Sequence, residues 1–227
     1  PDSHPFWSAE AEPMPALDVL KPLPHANMLV ARTKGRVTAY AAGVNEGHGH
    51  GQFPEKYAKF AYDTRFGFCA SRSREVIYQA APDSMLAFVI DDNVFVRKVS
   101  LSHEIRADRV VSKWSPFPGI TVTTTVLPTA DGHIRRHEIE SAYPCEAYDC
   151  GFAVPNFAPG YVESTAGGAA TARNAAVSCT VSGSGEGTVI KCDPNVSLYS
   201  TNVCIPAVRY AIPEGRTVIE TEIKAQA

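Results

Sequence analysis

The sequence predicts an all-β fold, a large antiparallel β-sandwich entered by a proline-rich N-terminal strap. Three observations carry that prediction. Apolar and polar residues alternate at a period of two along most of the chain, turn residues recur at short intervals, and helix-period stretches are nearly missing. No internal repeat is visible, which disfavours a propeller.

Residues 1–25 contain Pro1, Pro5, Pro13, Pro15, Pro22 and Pro24 among acidic and small residues, which reads as an extended strap with Phe6-Trp7 as its docking rings. Residues 26–227 read as the sandwich. Met28–Ala31 and Arg36–Tyr40 flank Lys34-Gly35 as a hairpin, and Met85–Ile90 and Val94–Val99 flank Asp91-Asp92-Asn93 as a second. In Gly119–Leu127, Ile120, Val122 and Val126 share one face while Thr121, Thr123 and Thr125 share the other, a β-branched strand pattern. Further strands are expected near 58–68, 75–80, 109–114, 133–140, 147–154, 176–181, 187–192, 203–210 and 216–223. The best helix candidate, Ala166–Ala176, contains Gly167 and Gly168 and reads equally well as a loop.

Composition sets the outer bounds. With 227 residues and 44% apolar content the chain can bury one large all-β core. Its formal charge of −3 gives no basic field for nucleic acid, and no apolar run reaches the length of a membrane-spanning helix. Pro1 in place of an initiator Met, followed by the strap, leads to the expectation of a preceding domain. The six cysteines form no Cys-x-x-Cys pair, so they read as structural or free thiols, not as a zinc or thioredoxin-type site.

Polar chemistry concentrates in two places. In 57–68, strand parity sets Phe60, Tyr62, Phe66 and Phe68 on a core face and Tyr57, Lys59, Asp63 and Arg65 on the other. That polar ladder is either a solvated face or a cleft whose Lys and Arg match a sugar carboxylate. Just upstream, His48-Gly49-His50 with Glu55 imitates a cupin metal spacing in part, but the downstream glycine and a second motif are missing. No metal or other cofactor is therefore expected; His50 reads as a base or hydrogen-bond donor, or as part of an inert loop. The second place is His133-Ile134-Arg135-Arg136-His137-Glu138-Ile139-Glu140. Here His133, Arg135 and His137 alternate onto one side and Arg136, Glu138 and Glu140 onto the other. Two largely polar faces suit an edge strand protected by charge, or a strand lining an inter-domain groove.

Asp2-Ser3-His4-Pro5-Phe6-Trp7, the block Glu55–Tyr62 with Thr64–Phe68, and His133-x-Arg135-x-His137 resemble the C-terminal part of a bacterial and fungal family, domain of unknown function 2264. Two departures stand out: Gly132 takes the place of an aromatic before the first histidine, and Cys69 that of a smaller polar residue. The resemblance implies an N-terminal (α/α) toroid followed by a β-sandwich. That architecture is similar to heparinase- and chondroitinase-type lyases, and relatives are grouped with hydrolases of β-glucuronides. On this reading the partners are the toroid and an acidic oligosaccharide. Lys59, Asp63, Arg65, His133, Arg135 and His137 would contact substrate, and His50 and Tyr57 would assist catalysis. The main acid and base would sit on the toroid, so the chain alone would be inert. A stand-alone carbohydrate-binding or structural module is the alternative, and a cupin-like metal enzyme the third.

Overall fold

The computed structural model describes residues 19–26, 28–33, 36–41, 61–63, 70–71, 86–91, 93–95, 99–152, 154–175, 177–191 and 203–226. Strands β1 (Val19–Leu23), β2 (Met28–Thr33), β3 (Arg36–Ala41) and β4 (Ala61–Asp63) form a four-stranded sheet in that order, β3 and β4 pairing in parallel. A second sheet begins with β5 (Ala70–Ser71), β6 (Leu86–Ile90) and β7 (Asn93–Phe95). A third begins with β8 (Val99–Ile105), β9 (Val110–Ser115), β10 (Ile120–Pro128) and β11 (Gly132–Ser141). The chain returns to the second sheet for β12 (Cys145–Cys150) and β13 (Val154–Pro155), and to the third for β14 (Val162–Ala166), β15 (Ala169–Arg173) and β16 (Ser178–Gly183). Strands β17 (Glu186–Lys191) and β18 (Val203–Ile212) complete the second sheet, and β19 (Gly215–Gln226) enters the third.

The third sheet has eight strands in the order β14-β15-β16-β19-β11-β10-β9-β8. Its inner face packs against the seven-stranded sheet. Trp114, Ile120, Val122, Ile139, Val181 and Ile223 from one side meet Leu86, Phe88, Ala147, Val208 and Tyr210 from the other in one buried cluster. The four-stranded sheet covers more of that same inner face, where Leu29, Ala31 and Tyr40 pack on Val110 and Val126. Two layers therefore cover one broad sheet, the antiparallel sandwich that the alternation predicts. The chain crosses between the two large sheets after β7, β11, β13, β16 and β18, so they are interlocked, not sequential.

Both expected hairpins form, and β10 alternates as its sequence dictates, with Ile120, Val122 and Val126 buried and Thr121, Thr123 and Thr125 half-buried. Three expectations change. Part of the segment read as strap contributes β1, which pairs with β2 from Val19↔Arg32 to Leu23↔Met28. Within the helix candidate Ala166–Ala176, residues 166–173 are not helical but lie in the β14–β15 hairpin, turning at Gly167-Gly168, with Gly167 at φ 54°. Small alanines there fit a strand flanked by β16, where cross-strand packing overrides weak β-propensity. Finally, β11 is not an edge strand; it lies between β10 and β19 in the centre of the large sheet. Strands expected near 75–80, and all of 58–68 except β4, fall outside the described residues.

Candidate functional site

Strand β11 has the strongest polar pattern in the sequence, and its register decides which way that pattern faces. Ile139 is wholly buried, so by two-residue parity His137, Arg135 and His133 point inward with it, at 0, 0 and 1% exposure. Arg136, Glu138 and Glu140 face outward, and Glu138 pairs with Arg216 across the sheet at 2.8 Å. Neither an edge position nor a groove-lining role describes the inward trio. His133, Arg135 and His137 are buried in the protein interior.

The interior trio is held by partners on both sheets. Trp114 Nε1 on β9 donates to Thr124 Oγ1 on β10 (2.9 Å), and Thr124 Oγ1 meets His137 Nδ1 at 2.8 Å. His137 Nε2 reaches Asp149 Oδ2 on β12 at 3.2 Å, crossing to the other sheet. Arg135 Nη2 lies 3.2 Å from Asp149 Oδ1 and also donates to the Cys150 carbonyl. Indole only donates and carboxylate only accepts, so the Nε2–H tautomer of His137 satisfies every direction, with the Thr124 hydroxyl donating to Nδ1. Burial alone would raise the Asp149 pKa. The opposing pull of Arg135, His137 and the Thr221 hydroxyl outweighs it and holds the carboxyl at about 2. Thr221 on β19 in turn meets Tyr210 Oη on β18 at 2.8 Å, a second polar link between the sheets.

His133 closes the far end of this row. Its ring stands edge-on to Tyr40 (5.3 Å between centroids) and to Phe152 (6.0 Å). Tyr40 Oη donates to the Gly132 carbonyl at 3.1 Å, which ties the four-stranded sheet to β11. Gly132 itself has no room for a side chain, since a Cβ there would lie 1.8 Å from the Ile223 carbonyl oxygen of β19. That contact explains the glycine where the resemblance leads one to expect an aromatic. Buried together, the residues of this row link the sheets through Asp149 and Tyr40.

An open surface site lies elsewhere, at one end of the sandwich. A pocket of about 530 Å3 is lined by Val89, Ile90, Asp91, Phe117, Tyr143, Pro144, Cys145 and Glu146. It joins the β6–β7 turn, the β9–β10 turn and the β11–β12 connection. A second surface network joins Tyr161, whose hydroxyl donates to Glu163 at 2.8 Å, to Lys191, 2.7 Å from the same carboxylate. Burial, with the neighbouring Cys204 and Glu163, pushes the Tyr161 hydroxyl pKa far up, so it stays protonated. Among the described residues, Cys145 and Cys204 are free thiols.

Of the remaining expected site residues, His50, Tyr57, Lys59 and Arg65 lie outside the described residues, as do His48 and Glu55 of the cupin-like spacing. Asp63 ends β4, its backbone in register with Ala41. Among the described residues no group of three His, Cys, Asp or Glu is placed to hold a metal, and no helix is long and apolar enough to cross a membrane. Sequence reasoning missed Thr124, Asp149 and Thr221 as partners of β11. Thr124 carried a signal, for it falls on the apolar parity of β10 between Val122 and Val126.

Residues 18–222 match the family model described as DUF2264 C-terminal domain. The chain belongs to that family. The fold of this chain is similar to part of solved structures of low identity. A heparinase III gene product aligns with 97% of this DUF2264 domain at 10% identity and a TM-score of 0.50, the chain covering 38% of that structure. The 4-alpha-glucanotransferase from Thermococcus litoralis gives 10% identity and a TM-score of 0.49, with 93% of this chain and 38% of that one covered. The heparan sulfate lyase HepC from Pedobacter heparinus gives 11% and 0.48, with 87% and 30% covered. The DUF2264 domain thus spans under two-fifths of each of these structures. A sequence search among curated proteins finds no match.

Proposed function

We propose that this DUF2264 domain is the C-terminal β-sandwich of a longer carbohydrate-active protein, docked on an N-terminal α/α toroid, and that it helps hold an acidic, uronate-containing glycan in the cleft between them. The observation that carries the reading is the fold likeness over 97% of the chain to 38% of a heparinase III gene product, in which this architecture is one part of a larger carbohydrate-acting protein. In the proposal Lys59 and Arg65 grip the uronate carboxylate through charge-assisted hydrogen bonds, Asp63 orients Arg65 or a hydroxyl, and His50 and Tyr57 assist proton transfer. The principal acid and base come from the toroid in this reading, since glycoside cleavage needs two carboxyl groups flanking the bond. His133, Arg135 and His137 take no part in sugar contact; they hold the sandwich that presents the cleft.

Turnover of β-glucuronides and uronate-containing polysaccharides, measured for the 227-residue chain and for a toroid-containing protein, tests this. Activity is expected only in the longer protein, and Lys59→Ala or Arg65→Ala should raise its KM. Ultraviolet absorbance of the products separates elimination, which leaves an unsaturated sugar, from hydrolysis. Turnover by the short chain alone would overturn the reading. The ring-lined surface pocket favours a second reading, a sugar-binding module that works without a toroid.

A further inference from the structure

A thiol, an amine, a phenol and a carboxylate converge where β13, β14, β17 and β18 meet. Lys191 ends β17 and is the register partner of Cys204 on β18. Side chains so paired leave the same face of the two strands, with Cβ atoms about 4.5–5.5 Å apart. Lys191 Nζ lies 2.7 Å from Glu163 Oε1, and the Tyr161 hydroxyl donates to Glu163 Oε2 at 2.8 Å. Asn156 Nδ2, from the β13–β14 connection, donates to Cys204 Sγ at 3.6 Å. Glu163 is held below the usual glutamate range by Lys191 first, then by Tyr161 and the Cys204 thiol, against the opposing effect of burial. Lys191 is raised by Glu163, with a smaller contribution from Cys204, so the thiol neighbours both members of the ion pair.

Exposure divides the roles. The Lys191 side chain is 67% exposed, while Cys204 beside it is 1% exposed. Local opening at strand ends admits a small neutral oxidant more readily than a bulky thiol. Once Cys204 is oxidised, the nucleophile already at hand is therefore the Lys191 amine.

We propose that Lys191 and Cys204 form an oxidative cross-linking site, at which hydrogen peroxide joins Lys191 Nζ to Cys204 Sγ through a reducible S–N bond between β17 and β18. Peroxide first takes two electrons from the thiolate sulfur: its O–O bond breaks, one oxygen joins sulfur as a sulfenic acid, and the other leaves as water. The Lys191 ammonium gives one proton to Glu163 or solvent, and the amine attacks the sulfur. An S–N bond forms, the S–O bond breaks, and the departing hydroxide collects a second nitrogen proton as water. The bond closes the 192–203 connection between the two strands and takes the lysine charge from Glu163.

Peroxide treatment of the 227-residue chain, then trypsin digestion without reductant and mass spectrometry, tests this. Trypsin cuts the untreated chain after Arg173, Lys191 and Arg209, giving peptides 174–191 and 192–209. The treated chain is expected to give one joined peptide, 174–209, about 2 Da lighter than its unmodified sequence, and reduction before digestion should restore the two. Lys191→Arg, a surface change that keeps the charge opposite Glu163, should abolish the joined peptide, as should Cys204→Ser. Cys192→Ser should keep it, which separates the link from a disulfide to that neighbour. Normal cleavage at Lys191 with Cys204 found only as thiol, sulfinic or sulfonic acid overturns the proposal. So does a joined peptide that persists in folded Lys191→Arg or disappears in folded Cys192→Ser.

Discussion

Replacing Asp149 by asparagine should cost the domain a large share of its stability. The carboxylate is fully buried, 3.2 Å from Arg135 Nη2 and 3.2 Å from His137 Nε2. Asparagine keeps the shape but leaves the Arg135 guanidinium enclosed without its counter-charge, a change that typically costs about 3–5 kcal/mol. Against a usual domain stability of about 5–15 kcal/mol, that is about a fifth or more. The pH dependence supplies an independent measure. Asp149 is held at about 2, below the usual aspartate value of 3.8, so folding gains from its ionisation above the unfolded pKa and loses that gain as pH falls through the folded one. The shift corresponds to about 2 kcal/mol. Urea unfolding of the wild type, Asp149→Asn, Arg135→Met and the variant Asp149→Leu/Arg135→Met, from pH 7 to pH 2, measures both. Each single variant should lose about 3 kcal/mol or more at pH 7, the apolar pair should recover most of it, and Asp149→Asn should lack the wild type's fall between pH 4 and pH 2. Single variants within about 1 kcal/mol of wild type, or an undiminished acid slope in Asp149→Asn, would refute the inter-sheet clamp.

Two further perturbations probe the same interior. Gly132→Ala places a Cβ 1.8 Å from a backbone oxygen of β19, which only strand displacement can relieve; a loss of about 3 kcal/mol or more in urea unfolding is expected, and a change below 1 kcal/mol would contradict the close pairing. Burial lifts the Tyr210 hydroxyl to about 12, with Asp149 and Glu220 adding to the rise. Stability from its neutral form is therefore complete below pH 10 and lost as pH rises towards 12. Tyrosinate absorbance in wild type and Tyr210→Phe should differ by one late-titrating group, and identical curves would contradict the assignment.

The fold was largely legible because its signal is local. A side chain in a strand faces opposite to its neighbours, so Ile120, Val122 and Val126 declare the inner face of β10 without reference to any other strand. Hairpins at 28–41 and 86–95 were equally readable, since turn residues and the strands they join are adjacent in sequence. The β14–β15 hairpin escaped because alanine and glycine carry little preference, and β1 because Pro22 within it and Pro24 just after it mask a strand that pairs with β2.

The site was less legible, and β11 shows why. Parity correctly grouped His133, Arg135 and His137 on one face, but whether that face meets water or protein depends on what pairs at its edges and what lies across from it. Those are β10, β19 and, from the opposite sheet, Asp149 of β12. A charged face reads as solvent-exposed by default because burying an arginine is costly without a partner, and the partner here is contributed by another strand, 14 residues away in the chain. The sequence by itself determined the strand class, the alternation and which side chains travel together. Only tertiary structure decided that a polar stripe would be a core, because the desolvation of Arg135 is offset by a carboxylate that sandwich closure alone brings within reach.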